Sequence, residues 1–151
     1  YTMVRHELLY RALFLKGLYM DYEVILNELK NNLSLEHPRN IGQENLDKLI
    51  DYAIKNSSKE IVWRIALSYS DFDLDFTKIV LYFIKVKDSF YIAETISAVD
   101  CNKINIKLVK EKLLERNDKD FIKKVVDNIK TYCDVDSNKE LKSIIEDFYS
   151  N

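Results

Sequence analysis

Apolar residues along this chain recur at spacings of three, four and seven or eight, the pattern of helices that bury one face. Residues 57–69, SSKEIVWRIALSY, carry such a face. KDSFYIAETISAV, residues 87–99, repeats it, and NDKDFIKKVVDNI, residues 117–129, repeats it again. In rows that begin at 46, 76 and 106 the columns agree. A first helix gives Leu46/Phe76/Ile106, Leu49/Ile79/Val109, Ala53/Phe83/Leu113 and Ile54/Ile84/Leu114. A second gives Ile61/Tyr91/Phe121, Val62/Ile92/Ile122, Ile65/Thr95/Val125, Ala66/Ile96/Val126 and Tyr69/Val99/Ile129.

The polar columns mark where the helices start. Asn45, Asp75 and Asn105 precede the first helices; Ser58, Asp88 and Asp118 precede the second. Their side-chain oxygens can accept hydrogen bonds from unpaired first-turn amides, each worth about 1 kcal/mol. The pattern therefore predicts helical hairpins at a period of 30 residues. One such hairpin cannot bury both of its stripes and must stack on a neighbour.

The expected architecture is all-α: a right-handed α-solenoid of stacked antiparallel helical hairpins forming a single domain over residues 1–151. Residues 1–40 supply an N-terminal hairpin, with helices over 4–19 and 22–33, and a loop containing Pro38. Residues 41–131 supply the three repeats. Residues 132–151 supply a capping helix, with Ile144, Ile145 and Phe148 covering the end.

These hairpins resemble short HEAT-like repeats. Asp88 to Tyr91 and Asp118 to Phe121 carry the D-x-x-[VIF] opening of the second helix, with Ser58 and Ile61 as a variant. The resemblance covers about residues 45–131, and more loosely 4–33. It departs from the family in lacking the helix proline and most of the small alanines; a different helical repeat of similar length is the alternative. It implies that the second helices line a concave binding face.

Composition agrees with helices. Hydrophobic residues make up 47% of the 151, enough to bury a core, while two glycines and one proline are too few to punctuate many strands. A formal charge of −2 sets up no global field for nucleic acid or an anionic membrane. No apolar run reaches the roughly 18 residues a membrane span needs, so a cytoplasmic protein without a membrane partner is expected. The chain opens on Tyr1 rather than Met, as a fragment would.

Candidate chemistry is thin. Asp71, Asp73 and Asp75 alternate in SDFDLDF but lack the glycine and the distal glutamate of an EF-hand loop. His6 and His37 stand in no metal motif, and Gly17 and Gly42 compose no phosphate loop. Cys101 and Cys133 lie 32 residues apart, close to one repeat, which suits reduced thiols that stacking brings near each other. Neither metal nor cofactor is expected, and the chain is read as a non-enzyme.

On the implied concave face, Trp63 and Phe90 are candidate aromatic anchors, with Arg64, Glu94, Lys123 and Lys124 as a mixed charge row setting register. The competing reading of Trp63 is packing over Ala93, with Arg64, Glu94 and Lys124 as an exposed charge row. Residues 101–130 are locally basic, with nine basic side chains against five acidic. The expected function is a protein-interaction or scaffold module that binds a protein partner on these second helices. Alternatives are a nucleic-acid-binding, DNA-glycosylase-like repair protein, as some HEAT-like solenoids are, and a small inhibitory or immunity-type protein.

Overall fold

The structure, a computed structural model, describes residues 22–31 and 41–149. The helix expected over 4–19, His6, Gly17, His37 and the loop around Pro38 lie outside the described residues. The described chain is helical, with no strand. In order come α1 (Tyr22–Asn31), α2 (Gln43–Asn56), α3 (Lys59–Ser68), α4 (Thr77–Lys85), α5 (Ser89–Ala98), a 3-10 turn (Cys101–Lys103), α6 (Ile106–Arg116), α7 (Lys119–Tyr132), a second 3-10 turn (Val135–Ser137) and α8 (Lys139–Tyr149). The chain divides into two units, Tyr1–Ser68 and Tyr69–Asn151.

In the first unit α1, α2 and α3 pack on one another. Their apolar stripes supply Ile25, Leu26 and Leu29; Leu46, Leu49, Ile50 and Ala53; and Ile61, Val62, Ile65 and Ala66, all buried. The Tyr22 and Tyr52 rings meet at 5.2 Å, and the Tyr52 hydroxyl donates to Glu23. Asn45 is not a cap: α2 starts two residues earlier, after an extended Gly42 that makes no side-chain cap bond. Position 45 therefore sits inside the helix's first turn.

In the second unit α4 packs on α5 and α6, α5 on α7, and α8 on both α6 and α7. Ile79, Val80, Phe83, Ile92, Ile96, Val109, Leu113, Val125, Val126, Ile129, Leu141 and Ile144 fill its interior. Three of the expected caps form in this unit: Asp88 accepts from the Tyr91 amide, Asn105 from Leu108 and Asp118 from Phe121. Asp75 is not the cap of α4: the helix starts after Phe76, which makes no side-chain cap bond, and Asp75 accepts from the Thr77 amide one residue outside it. Asn138 adds a fourth, accepting from Leu141 at the head of α8. The end of the unit is covered by Leu141 and Ile144, with Ile145 and Phe148 half-buried. One column fails: Leu114 is 54% exposed.

The links α4–α5 and α6–α7 share a backbone device. Lys87 and Asn117, 30 positions apart, both take positive φ (57° and 51°), and each is followed by the capping Asp88 or Asp118. Asn tolerates this region readily and Lys does not. Lys87 has a compensating contact: its ammonium donates to the Asp118 carboxylate of the next link at 2.8 Å. Contacts between successive first helices also join residues near one repeat apart, as where the Phe76 amide donates to the Lys103 carbonyl and the Asn105 amide to Thr77 Oγ1. Between α5 and α7 hydrogen bonds join residues 39 and 40 apart, Ser89 with Asn128 and Ala93 with Cys133. The 14-residue α7 runs one turn beyond the 10-residue α5.

Asp118 also gives a pH signature. The Lys87 ammonium, then the Phe121 amide, hold its carboxyl below the usual carboxylate range. A depressed folded value stabilises above the unfolded value, about 3.9, and that contribution is lost as pH falls through the folded one. Asp118→Asn keeps a capping oxygen but not the charge. Thermal midpoints of parent and variant should differ at about pH 7 and converge well below about pH 4. A gap that persists into acid would remove the charge from the explanation.

Candidate functional site

Two aromatic side chains stand out of the second unit. Phe90, in the first turn of α5, is 42% exposed, and Tyr132, in the last turn of α7, is 46% exposed. Their rings meet edge-on at 5.7 Å, and Phe90 also lies 5.9 Å from the Tyr91 ring. The Ser89–Asn128 bond at 3.2 Å and the Cys133–Ala93 contact at 3.4 Å hold the two helix ends together beneath them.

Glu94 follows Phe90 by four residues on α5 and is half-buried; Lys123 and Lys124 are exposed on α7. Spacings of four place Phe90 with Glu94 on one side of α5, and Lys124, Asn128 and Tyr132 along one side of α7. Four of the six expected partner-binding residues thus belong to this unit. Tyr132 joins them without having been legible from the repeat, because it lies in the extra turn of α7.

Trp63 and Arg64 belong to the first unit. Trp63 is half-buried on α3. The Arg64 side chain is only 14% exposed. Its Nη1 donates to the carbonyls of Leu29 and Lys30, both at 2.8 Å, and its Nη2 to Glu60 Oε1 at 2.8 Å. Those carbonyls belong to the last turn of α1, where helix geometry leaves acceptors without intrahelical donors. A guanidinium there also meets the negative end of the helix dipole. Sequence alone gave no sign of this task.

At least four of the nine basic side chains of 101–130 make contacts within the fold. Lys103 donates to the Ser70 carbonyl, Lys110 to Ser143 and Asp147, and Lys112 to Glu115. Arg116 donates to the Lys85 carbonyl and stands over the Phe121 ring, 6.0 Å from its centroid. A shallow groove with Leu81 and Ile84 on its floor is edged by Lys85, Lys112, Glu115 and Arg116.

A second cleft of about 240 Å³ lies where α5 and α7 end. Cys101 and Cys133 both line it, with Asp100, Asn102, Asp134 and Ser137. Both thiols are free. Burial pushes the Cys133 thiol up to about 12, helped by the charges of Cys101 and Glu94. Burial also raises Cys101, with Asp100 and then Asp134 adding to it. Among the described residues no group of three or more His, Cys, Asp or Glu side chains is arranged to hold a metal ion. No helix among them is long and apolar enough to cross a membrane.

No family model, curated protein or solved structure matches this chain.

Proposed function

We propose that this chain is a non-enzymatic protein-interaction module, an α-solenoid of 30-residue hairpins that takes a protein partner on its second helices. The observation that carries the reading is the Phe90–Tyr132 pair. Large aromatic rings left over 40% exposed at a helix–helix junction forfeit burial that the fold could have used. Aromatic anchors of this kind dominate protein–protein affinity, and flanking charges such as Glu94, Lys123 and Lys124 set register and association rate.

Lys103, Lys110 and Arg116 are tied to Ser70, Ser143 and Lys85 within the fold, which takes three cations from any phosphate-binding surface, and the acidic side chains interleaved with the rest favour a protein over a nucleic acid. Arg64, spent on α1, is a positioning residue in this reading rather than a contact.

The test is affinity capture from nuclease-treated source lysate, comparing the parent with Phe90→Ala/Tyr132→Ala. Both substitutions are at exposed positions, so circular dichroism and thermal midpoint should barely change. A protein held by the parent should bind the variant at least about tenfold more weakly, since each anchor contributes more than ~1 kcal/mol. Equal retention by both would move the site elsewhere. Recovery of nucleic acid alone, before nuclease treatment, would favour the basic-groove alternative.

A further inference from the structure

The cleft at the ends of α5 and α7 brings together the only two cysteines of the chain, from turns 32 residues apart. Cys101 opens the 3-10 turn after α5, and Cys133 closes α7, where its amide donates to the Ile129 carbonyl. Both side chains are half-buried and face one solvent-connected space. Among the described residues neither Lys nor Arg lines the cleft, so they build no cation-stabilised thiolate of the kind found in nucleophilic enzymes. What the geometry offers is two free thiols lining one pocket.

We propose that Cys101 and Cys133 form a dithiol site that a low-molecular-weight disulfide oxidises to a cross-link between the turn before α6 and the end of α7. The first step is deprotonation of Cys101 and attack of its thiolate on one sulfur of the reagent RSSR. The reagent's S–S bond breaks, a mixed disulfide forms on Cys101, and one RS⁻ leaves and is protonated. The Cys133 thiolate then attacks Cys101 Sγ, forming the internal bond and expelling the second RSH. In sum, two protein thiols lose two electrons and two protons, and RSSR becomes two RSH.

The order follows from the surroundings. Cys133 is the more reluctant to ionise, being held by burial, by Cys101 and by Glu94 on α5. Once Cys101 is tied up as a mixed disulfide its own charge is gone, and one of the two charges opposing the Cys133 thiolate goes with it. Glu94, and Asp100 and Asp134 facing Cys101, remain. The reaction therefore speeds up with rising pH, by up to about tenfold per unit while both thiols are mostly protonated.

The experiment treats the full chain with excess oxidised glutathione in mild alkali, then traps free thiols and maps the peptides. The expected product is a monomer lighter by two hydrogens, with Cys101 and Cys133 in one linked peptide. Cys133→Ser should instead hold glutathione on Cys101, and Cys101→Ser should react at least about tenfold more slowly than the parent, Cys133 ionising less readily. A parent that retains glutathione on either cysteine without the internal link overturns the proposal. So do links between separate chains, or no reaction where the urea-unfolded chain reacts readily.

Discussion

Replacing Phe83 by alanine is expected to cost the second unit about 3–5 kcal/mol, the largest loss among the substitutions considered. The ring is fully buried on the face of α4 that meets α5. It packs against Tyr91 at 5.2 Å and beside Tyr82 at 5.5 Å, both tilted, and its own carbonyl accepts from the Asp88 amide at the link. Truncation removes the transfer energy of a large apolar side chain and leaves a cavity that two anchored helices cannot close. Against a usual domain stability of roughly 5–15 kcal/mol, such a loss takes a large share. Urea unfolding followed by helical circular dichroism should show a lower midpoint with little change in slope. Leu114→Ala is the internal comparison: one column over from the Phe83 column and one row further along the chain, but 54% exposed, it should move stability by no more than about 0.5 kcal/mol. If the two substitutions cost the same, column membership rather than burial would be setting the energetics, and the packing described here would be wrong.

That comparison also marks where the repeat pattern stops informing. Spacings of three and four fix which residues share a helix face, so Leu46, Ile79, Val109, Ile65, Ile92 and Val125 could be read as buried before any coordinates. Asp and Asn before a stripe fix helix starts, because the capping bond is local; Asp88, Asn105 and Asp118 are the cases. Asn45 failed because Gln43 and Glu44 are good helix formers, and the helix began before it. Leu114 failed because packing neighbours, not period, decide burial of a column's last member. The end of α7 is a further departure: the helix runs to Tyr132, a turn past the position at which α5 ends, although no glycine or proline follows either helix to mark the difference. That turn places Tyr132 against Phe90, a juxtaposition that a strict 30-residue register does not contain, whereas the 32-residue spacing of Cys101 and Cys133, close to one repeat, made their shared cleft legible. Helical faces are a property of local spacing; partners across elements depend on helix length.

Arg64→Ala should cost about 2–3 kcal/mol and loosen α1 before anything else. The guanidinium makes two charge-assisted bonds to carbonyls at the end of α1, at Leu29 and Lys30, and is itself oriented by Glu60 one turn earlier on α3. Each such bond is worth about 1.5–3 kcal/mol, but water can reach the exposed Lys30 side once the arginine is gone and offsets part of the loss. Arg64→Lys separates charge from shape. An ammonium keeps the favourable end of the helix dipole but lacks the fork that spans two acceptors, so about half of the stability should return. Hydrogen exchange reads the result where it arises: amides of α1 should lose protection in Arg64→Ala, recover in part in Arg64→Lys, and change far less in α4 to α8. A residue serving chiefly as a partner contact would behave the other way, leaving exchange in α1 untouched while weakening capture of the partner. With its side chain 14% exposed and its guanidinium committed to α1, Arg64 is expected to fail that second test and pass the first.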